Sequence, residues 1–230
     1  MANEVIYHGS TRIIENPTAS GSAPFNDFGL GFYCTKNPAL AREWACSDRT
    51  NGYVNKYNLE LAGLEVLNIP DSEVGTLTWT AILLQNRKFR ISSEKMKAGV
   101  DWLLDRYYVN LGNYDVIAAP RADDSYFSFV RAFLSGEISL TQLSAALKLD
   151  KDSAQYVLRS DRAINHLEFM SFAPAEASSF YARRKSRDAK VRRDFLKMIA
   201  GQAADAARSN WLYIGDIVEQ EVTARDLLLR

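Results

Sequence analysis

Between Asn16 and Ala45 the chain writes a loop, a strand, a helix cap and a helix with almost no slack between them. Residues 16–31 (NPTASGSAPFNDFGLG) are loop by composition, because Pro, Ser, Gly and Asn favour turns, and the run is long enough to be a working loop more than a connector. Gly31-Phe32-Tyr33-Cys34-Thr35 then reads as a strand. Asn37-Pro38 supplies a cap and a first-turn proline, and Leu40, Ala41, Trp44 and Ala45 recur at helical spacing behind it. Any fold for this chain has to accommodate that strand, cap and helix in order.

The rest of the sequence supplies a sheet and helices around it. Glu4 to Tyr7 is a short strand ended by His8-Gly9-Ser10. Tyr53 to Leu61 and Leu64 to Ile69 read as two strands with Gly63 between them as a hairpin signal, and Tyr114 to Ala118 as another. Residues 72–89 and 93–111 carry apolar side chains every three to four positions, as do Tyr126 to Ser135 and the stretch capped by Ser139. Ala154 to Ser160 reads as a strand, and Ala163 to Phe172 as a strand or a strand after a turn. After Pro174 the character changes. Residues 176–208 form a charged helical tract with eight Lys/Arg between Arg183 and Lys197, broken by two Asp. The expected division is a domain over 1–175 and a helical extension over 176–230 that packs back on it through Trp211 to Ile214 and Val222 to Leu229. The fold class is α+β.

Composition narrows the function classes. Lys+Arg 28 against Asp+Glu 28 leaves no net charge, so the long-range attraction behind non-specific nucleic-acid binding is missing. Cys34 and Cys46 are too few for a disulfide scaffold, and with only His8 and His166 to join them they make no zinc pattern; no metal is expected. No run approaches a membrane span and no basic leader precedes an apolar run, so a soluble, cytoplasmic protein without membrane partners is expected.

Ile6-Tyr7-His8-Gly9-Ser10, then Phe28-Gly29-Leu30-Gly31-Phe32-Tyr33-Cys34-Thr35, then Ala41 to Trp44 resemble the first two motifs of the ADP-ribosyltransferase superfamily, in its diphtheria-toxin and poly(ADP-ribose)-polymerase branch. Trp44 falls eleven positions after Tyr33, where the polymerase branch carries an aromatic residue. The chain is similar, more closely still, to a bacterial family of uncharacterised domains in that superfamily. The residues that carry this likeness are Asp27 to Tyr33, Tyr114-Asp115-Val116-Ile117 and Ala122-Asp123-Asp124. The resemblance spans roughly residues 3–172 and implies a split mixed or antiparallel sheet with NAD in the cleft between its halves, helical insertions and a C-terminal helical extension.

What the resemblance implies for chemistry is transfer of a single ADP-ribose from NAD with release of nicotinamide. NAD must be gripped at its nicotinamide end while the glycosidic bond stretches toward an oxocarbenium-like ribose. Gly9 would read the carboxamide with its backbone and Ser10 would add a hydroxyl. His8 would bond a ribose hydroxyl, and Tyr33 and Trp44 would sandwich the ring. The third motif of the branch is a Glu opening a strand, and Gln155-Tyr156-Val157-Leu158 matches it with Gln in place of Glu. Gln155 keeps the hydrogen bond to the ribose but not the charge, which argues against polymer formation. Asp123 or Asp124 could bring a compensating carboxylate, and Asp27 is a further candidate. His166 in an apolar run is read as structural and Cys34 as packing. The implied partners are a macromolecular acceptor, protein or nucleic acid, and, in the toxin-like settings of such relatives, a neutralising antitoxin protein. A catalytically silent module that binds NAD or ADP-ribose is the alternative, and NAD glycohydrolysis a third.

Overall fold

The computed structural model describes residues 3–20, 26–121, 124–149, 154–202 and 211–228. In chain order the elements are β1 (Asn3–Ser10), β2 (Phe32–Thr35), α1 (Pro38–Ala45), β3 (Gly52–Glu60), β4 (Val66–Asn68), α2 (Glu73–Asn86), α3 (Glu94–Tyr107), β5 (Val116–Ala119), α4 (Asp124–Leu134), α5 (Leu140–Ala146), β6 (Gln155–Leu158), α6 (Asp161–Asn165), β7 (Leu167–Ala175), α7 (Ala177–Gln202), α8 (Ile214–Glu219) and α9 (Ala224–Leu228). The protein is α+β. Its contacts divide it into two interleaved units, one from residues 1–68, 111–120 and 151–190, the other from 69–110, 121–150 and 191–230. α7 begins in the first unit and ends in the second.

The first unit holds a seven-stranded sheet in the order β4-β5-β6-β2-β1-β3-β7. Every neighbouring pair is antiparallel except β4 and β5, which run parallel. The expected hairpin around Gly63 is therefore corrected. Gly63 does turn the chain at φ 78°, but β4 pairs with β5 at the far edge of the sheet from β3. The reason is apolar burial: Leu64 enters the core formed by Ile6, Phe32, Cys34, Tyr57, Leu59 and Leu158, which draws the chain across the sheet rather than back along β3. Of the two readings of 163–172, a strand or a strand after a turn, the structure shows the second. Ser160 accepts a hydrogen bond from the Ala163 N–H and starts a helical turn, with Ala163 buried, before β7 begins at Leu167.

The sheet is joined unevenly. β1 pairs with β3 over eight positions and β2 with β6 over four, but β1 meets β2 at the single rung Tyr7↔Thr35. Beyond that rung the two strands part. α1 forms where expected, capped by the Asn37 side chain, which accepts from the N–H groups of Ala39 at 2.9 Å and Leu40 at 3.2 Å. It lies close on β1: a Cβ at Gly9 would stand 2.0 Å from the Ala41 carbonyl oxygen, so only glycine admits the helix there.

The second unit is helical. α2 is apolar around most of its circumference and buries Leu77, Trp79, Ile82 and Leu83 completely, which marks it as the centre of its own core. Met96 and Leu103 of α3 and Phe129 and Phe133 of α4 are buried too. Phe195 of α7 stacks on Phe129 with ring centroids 3.9 Å apart.

Candidate functional site

Where β1 and β2 part, His8 bridges them. Its Nδ1 lies 2.7 Å from the Tyr33 carbonyl oxygen, and because a carbonyl only accepts, Nδ1 carries the proton. The imidazole stacks on Phe32 with centroids 4.2 Å apart. Burial pushes the His8 pKa below its ordinary value of 6.5, against a smaller upward pull from the Tyr33 carbonyl. His8 is therefore neutral at physiological pH, and its Nε2 is a fixed hydrogen-bond acceptor.

His8 lines a cavity of about 610 Å³, within the range of small-molecule sites. One wall is Gly31, Phe32 and Tyr33 of the β2 approach; Asn26 closes an adjoining side. The irregular segment from Arg12 to Thr18 also lines it, with Arg12, Glu15, Asn16 and Thr18 beside apolar Ile13, Ile14 and Pro17. A histidine, one cation, one anion and amides among apolar residues suit a polar ligand better than a hydrocarbon.

Both walls are pinned by side chains from the sheet. Asn55 of β3 is fully buried and uses its whole amide: Oδ1 accepts from the Ile14 N–H at 2.9 Å, and Nδ2 donates to the carbonyls of Arg12 at 3.2 Å and His8 at 3.4 Å. The Tyr57 hydroxyl donates to the Ile14 carbonyl. On the other wall the Tyr33 hydroxyl accepts from the Phe28 N–H at 3.1 Å and donates to the Gly29 carbonyl at 2.6 Å. Arg159, just past β6, donates from Nη1 to the Phe28 carbonyl. Asn55, Arg12 and Arg159 were not singled out by sequence reasoning. Asn55 sits in an alternating strand where a polar residue reads as solvent-facing, and nothing local marks its distant partners.

The expected site residues are distributed unevenly around this centre. His8 and Tyr33 come together. Gly9, Ser10, Trp44, Gln155 and Asp27 do not line the cavity. Alternation along β1, with the rungs Tyr7↔Thr35 and Thr35↔Gln155, puts Gly9, Tyr33 and Gln155 on one face of the sheet, the face α1 covers, and His8 and Ser10 on the other. Trp44 is half-buried on α1. Ser10 Oγ accepts from the Arg12 N–H at 3.2 Å and so shapes the turn after β1. Gln155 is 6% exposed and its Oε1 has no hydrogen-bond partner, an unmet buried acceptor of the kind native proteins rarely leave empty. Asp123 lies outside the described residues, and so does the side chain of Asp124, whose backbone opens α4. Cys34 is fully buried, and burial raises its thiol pKa well above the ordinary value, which suits packing. The His166 ring bonds the Glu60 carbonyl at 3.0 Å, a structural contact between β3 and the turn before β7. Among the described residues no three His, Cys, Asp or Glu side chains cluster to hold a metal, and no helix is long and apolar enough to cross a membrane.

No curated protein and no solved structure matches this chain at a significant level. One family model does, over residues 5–169, from β1 into β7 and so across every residue of the cavity. With well over half its length matched, the chain belongs to DUF3990, a family described as a protein of unknown function.

Proposed function

We propose that the chain is an NAD-dependent mono-ADP-ribosyltransferase of the kind its motifs resemble. The observation that carries this reading is the His8 bridge: a neutral imidazole held by the Tyr33 backbone, at the point where β1 and β2 part, on a residue that lines the cavity. The single β1–β2 rung supports a sheet divided into β4-β5-β6-β2 and β1-β3-β7 halves, the arrangement the resemblance implies.

In this reading His8 Nε2 accepts a ribose hydroxyl and fixes the sugar. The bond from ribose C1 to the ring nitrogen breaks, nicotinamide leaves neutral with the bonding pair, and an acceptor nucleophile attacks C1 and gives up its proton. Gln155 stands where the branch carries a Glu, on the sheet face that α1 covers and off the cavity lining; being uncharged, it offsets less of the developing positive charge than a carboxylate would. That deficit is also the one observation favouring a second reading, a module that binds NAD or ADP-ribose without turning it over.

Purified protein given NAD labelled on the adenylate, with a bacterial lysate as acceptor source, should release nicotinamide and label a macromolecule, and His8→Ala should abolish both. Nicotinamide release without labelling would point to glycohydrolysis. NAD binding with neither product would favour the silent module, and absence of binding would defeat both.

A further inference from the structure

We infer that Arg12 is the residue that reads the ligand's diphosphate, and that Asn55 is a positioning residue built into β3 to hold it there. The inference rests on the NAD reading and adds to it a contact that the motifs do not mark.

Arg12 lies four residues past His8 in a segment with no helix or strand of its own. Such a segment normally wanders, and a charge on it has no fixed address. Here its backbone is fastened at successive points. The Arg12 N–H donates to Ser10 Oγ, the Arg12 carbonyl accepts from Asn55 Nδ2, the Ile14 N–H donates to Asn55 Oδ1, and the Ile14 carbonyl accepts from Tyr57. Asn55 and Tyr57 are fully buried, and both fasten the irregular segment after β1, Asn55 also reaching the His8 carbonyl. Burying an amide requires that all its groups be satisfied, so the arrangement specifies one path for residues 12–14.

That path places Arg12 on the lining of the cavity it shares with His8. Arg12 is the single cation among the residues lining the cavity, and no carboxylate stands within ion-pair distance of it among the described residues, although Glu15 lines the same cavity. Its side chain is exposed. A planar fork of donors beside a sugar-binding acceptor fits a phosphate group attached to that sugar, since guanidinium pairs bidentately with phosphate oxygens.

The test is binding of ADP-ribose and of adenosine, measured by calorimetry at two salt concentrations on wild type, Arg12→Ala, Arg12→Lys and Asn55→Ala. Arg12→Ala should weaken ADP-ribose roughly tenfold to a hundredfold and flatten its salt dependence, while leaving adenosine within about twofold. Arg12→Lys should recover part of the loss. Asn55→Ala, checked as folded by circular dichroism, should weaken ADP-ribose by a similar factor, because the cation is present but no longer held. Equal loss of both ligands in Arg12→Ala, or no loss of either, overturns the inference while wild-type NAD binding keeps the functional reading standing. Failure of wild type to bind NAD or ADP-ribose removes the reading itself, and this inference with it.

Discussion

The two units spend their buried polar groups differently. In the sheet unit buried and half-buried groups reach far along the chain: Asn55 to residues 8, 12 and 14, Arg159 to Phe28, and Arg187 Nε to Glu43 at 2.7 Å. In the helical unit they are mostly local. Thr76 and Thr80 bond carbonyls one turn back, and Ser139 and Gln142 complete a capping box over three residues, while the Thr76 to Ser144 hydroxyl contact reaches farther. Local bonds stabilise helices that apolar packing has already placed. The distant bonds of Asn55 and Arg159 specify the course of irregular backbone around the cavity. The contrast separates a region built for cohesion from one built to hold a shape.

If that is right, substitutions in the two units should fail in different ways. Trp79→Ala, which empties the centre of the helical core, should cost about 4 kcal/mol in chemical denaturation, with no change in cavity chemistry when the protein is assayed folded. Gly9→Ala places a Cβ against the Ala41 carbonyl, backbone against backbone, and should cost about 3 kcal/mol by the same measurement. Asn55→Ala should cost about 2 kcal/mol and, unlike Trp79→Ala, should raise hydrogen exchange selectively at Ile14, whose N–H it leaves unpaired.

Acid should expose a smaller effect in the sheet unit. Asp115 accepts from the Ser160 hydroxyl at 2.5 Å and the Glu65 N–H at 2.9 Å, and these bonds hold its carboxyl below the ordinary value, with Arg162 assisting. A carboxyl depressed in the folded state contributes stability above its unfolded pKa, and that contribution fades as pH falls through the folded value. The urea midpoint of wild type should therefore drop more steeply below about pH 4 than that of Asp115→Asn. Parallel slopes would show that Asp115 is not the group responsible.

Legibility in the sequence followed the range of the interactions. The cap at Asn37, the helix behind it and the capping box at Ser139 rest on neighbours within four residues, and the pattern announces them. His8 and Tyr33 were legible as a pair because a motif resemblance joins them across 25 positions. The false hairpin at Gly63 shows the limit: the turn residue is where it should be, but which strand β4 joins is decided by burial of Leu64 among residues far away in sequence. Asn55 and Arg12 were illegible for the same reason. Their roles lie in partners 41 and 43 positions apart, which neither alternation nor composition encodes.

His8 is the point at which the fold and the proposed chemistry meet, and with two histidines in the chain its imidazole signals can be isolated in His166→Gln. The most direct measurement is an NMR titration of the His8 ring nitrogens, free and with NAD. Because folding binds His8 neutral, its pKa should fall below 6.5 with the proton on Nδ1, and stability linked to it should be complete above 6.5 and decline as pH drops below that value. Saturating NAD should shift the Nε2 resonance as it accepts a ribose hydroxyl, while nicotinamide alone should not. A His8 that is protonated at pH 7, or whose Nε2 is unmoved by bound NAD, would contradict the account.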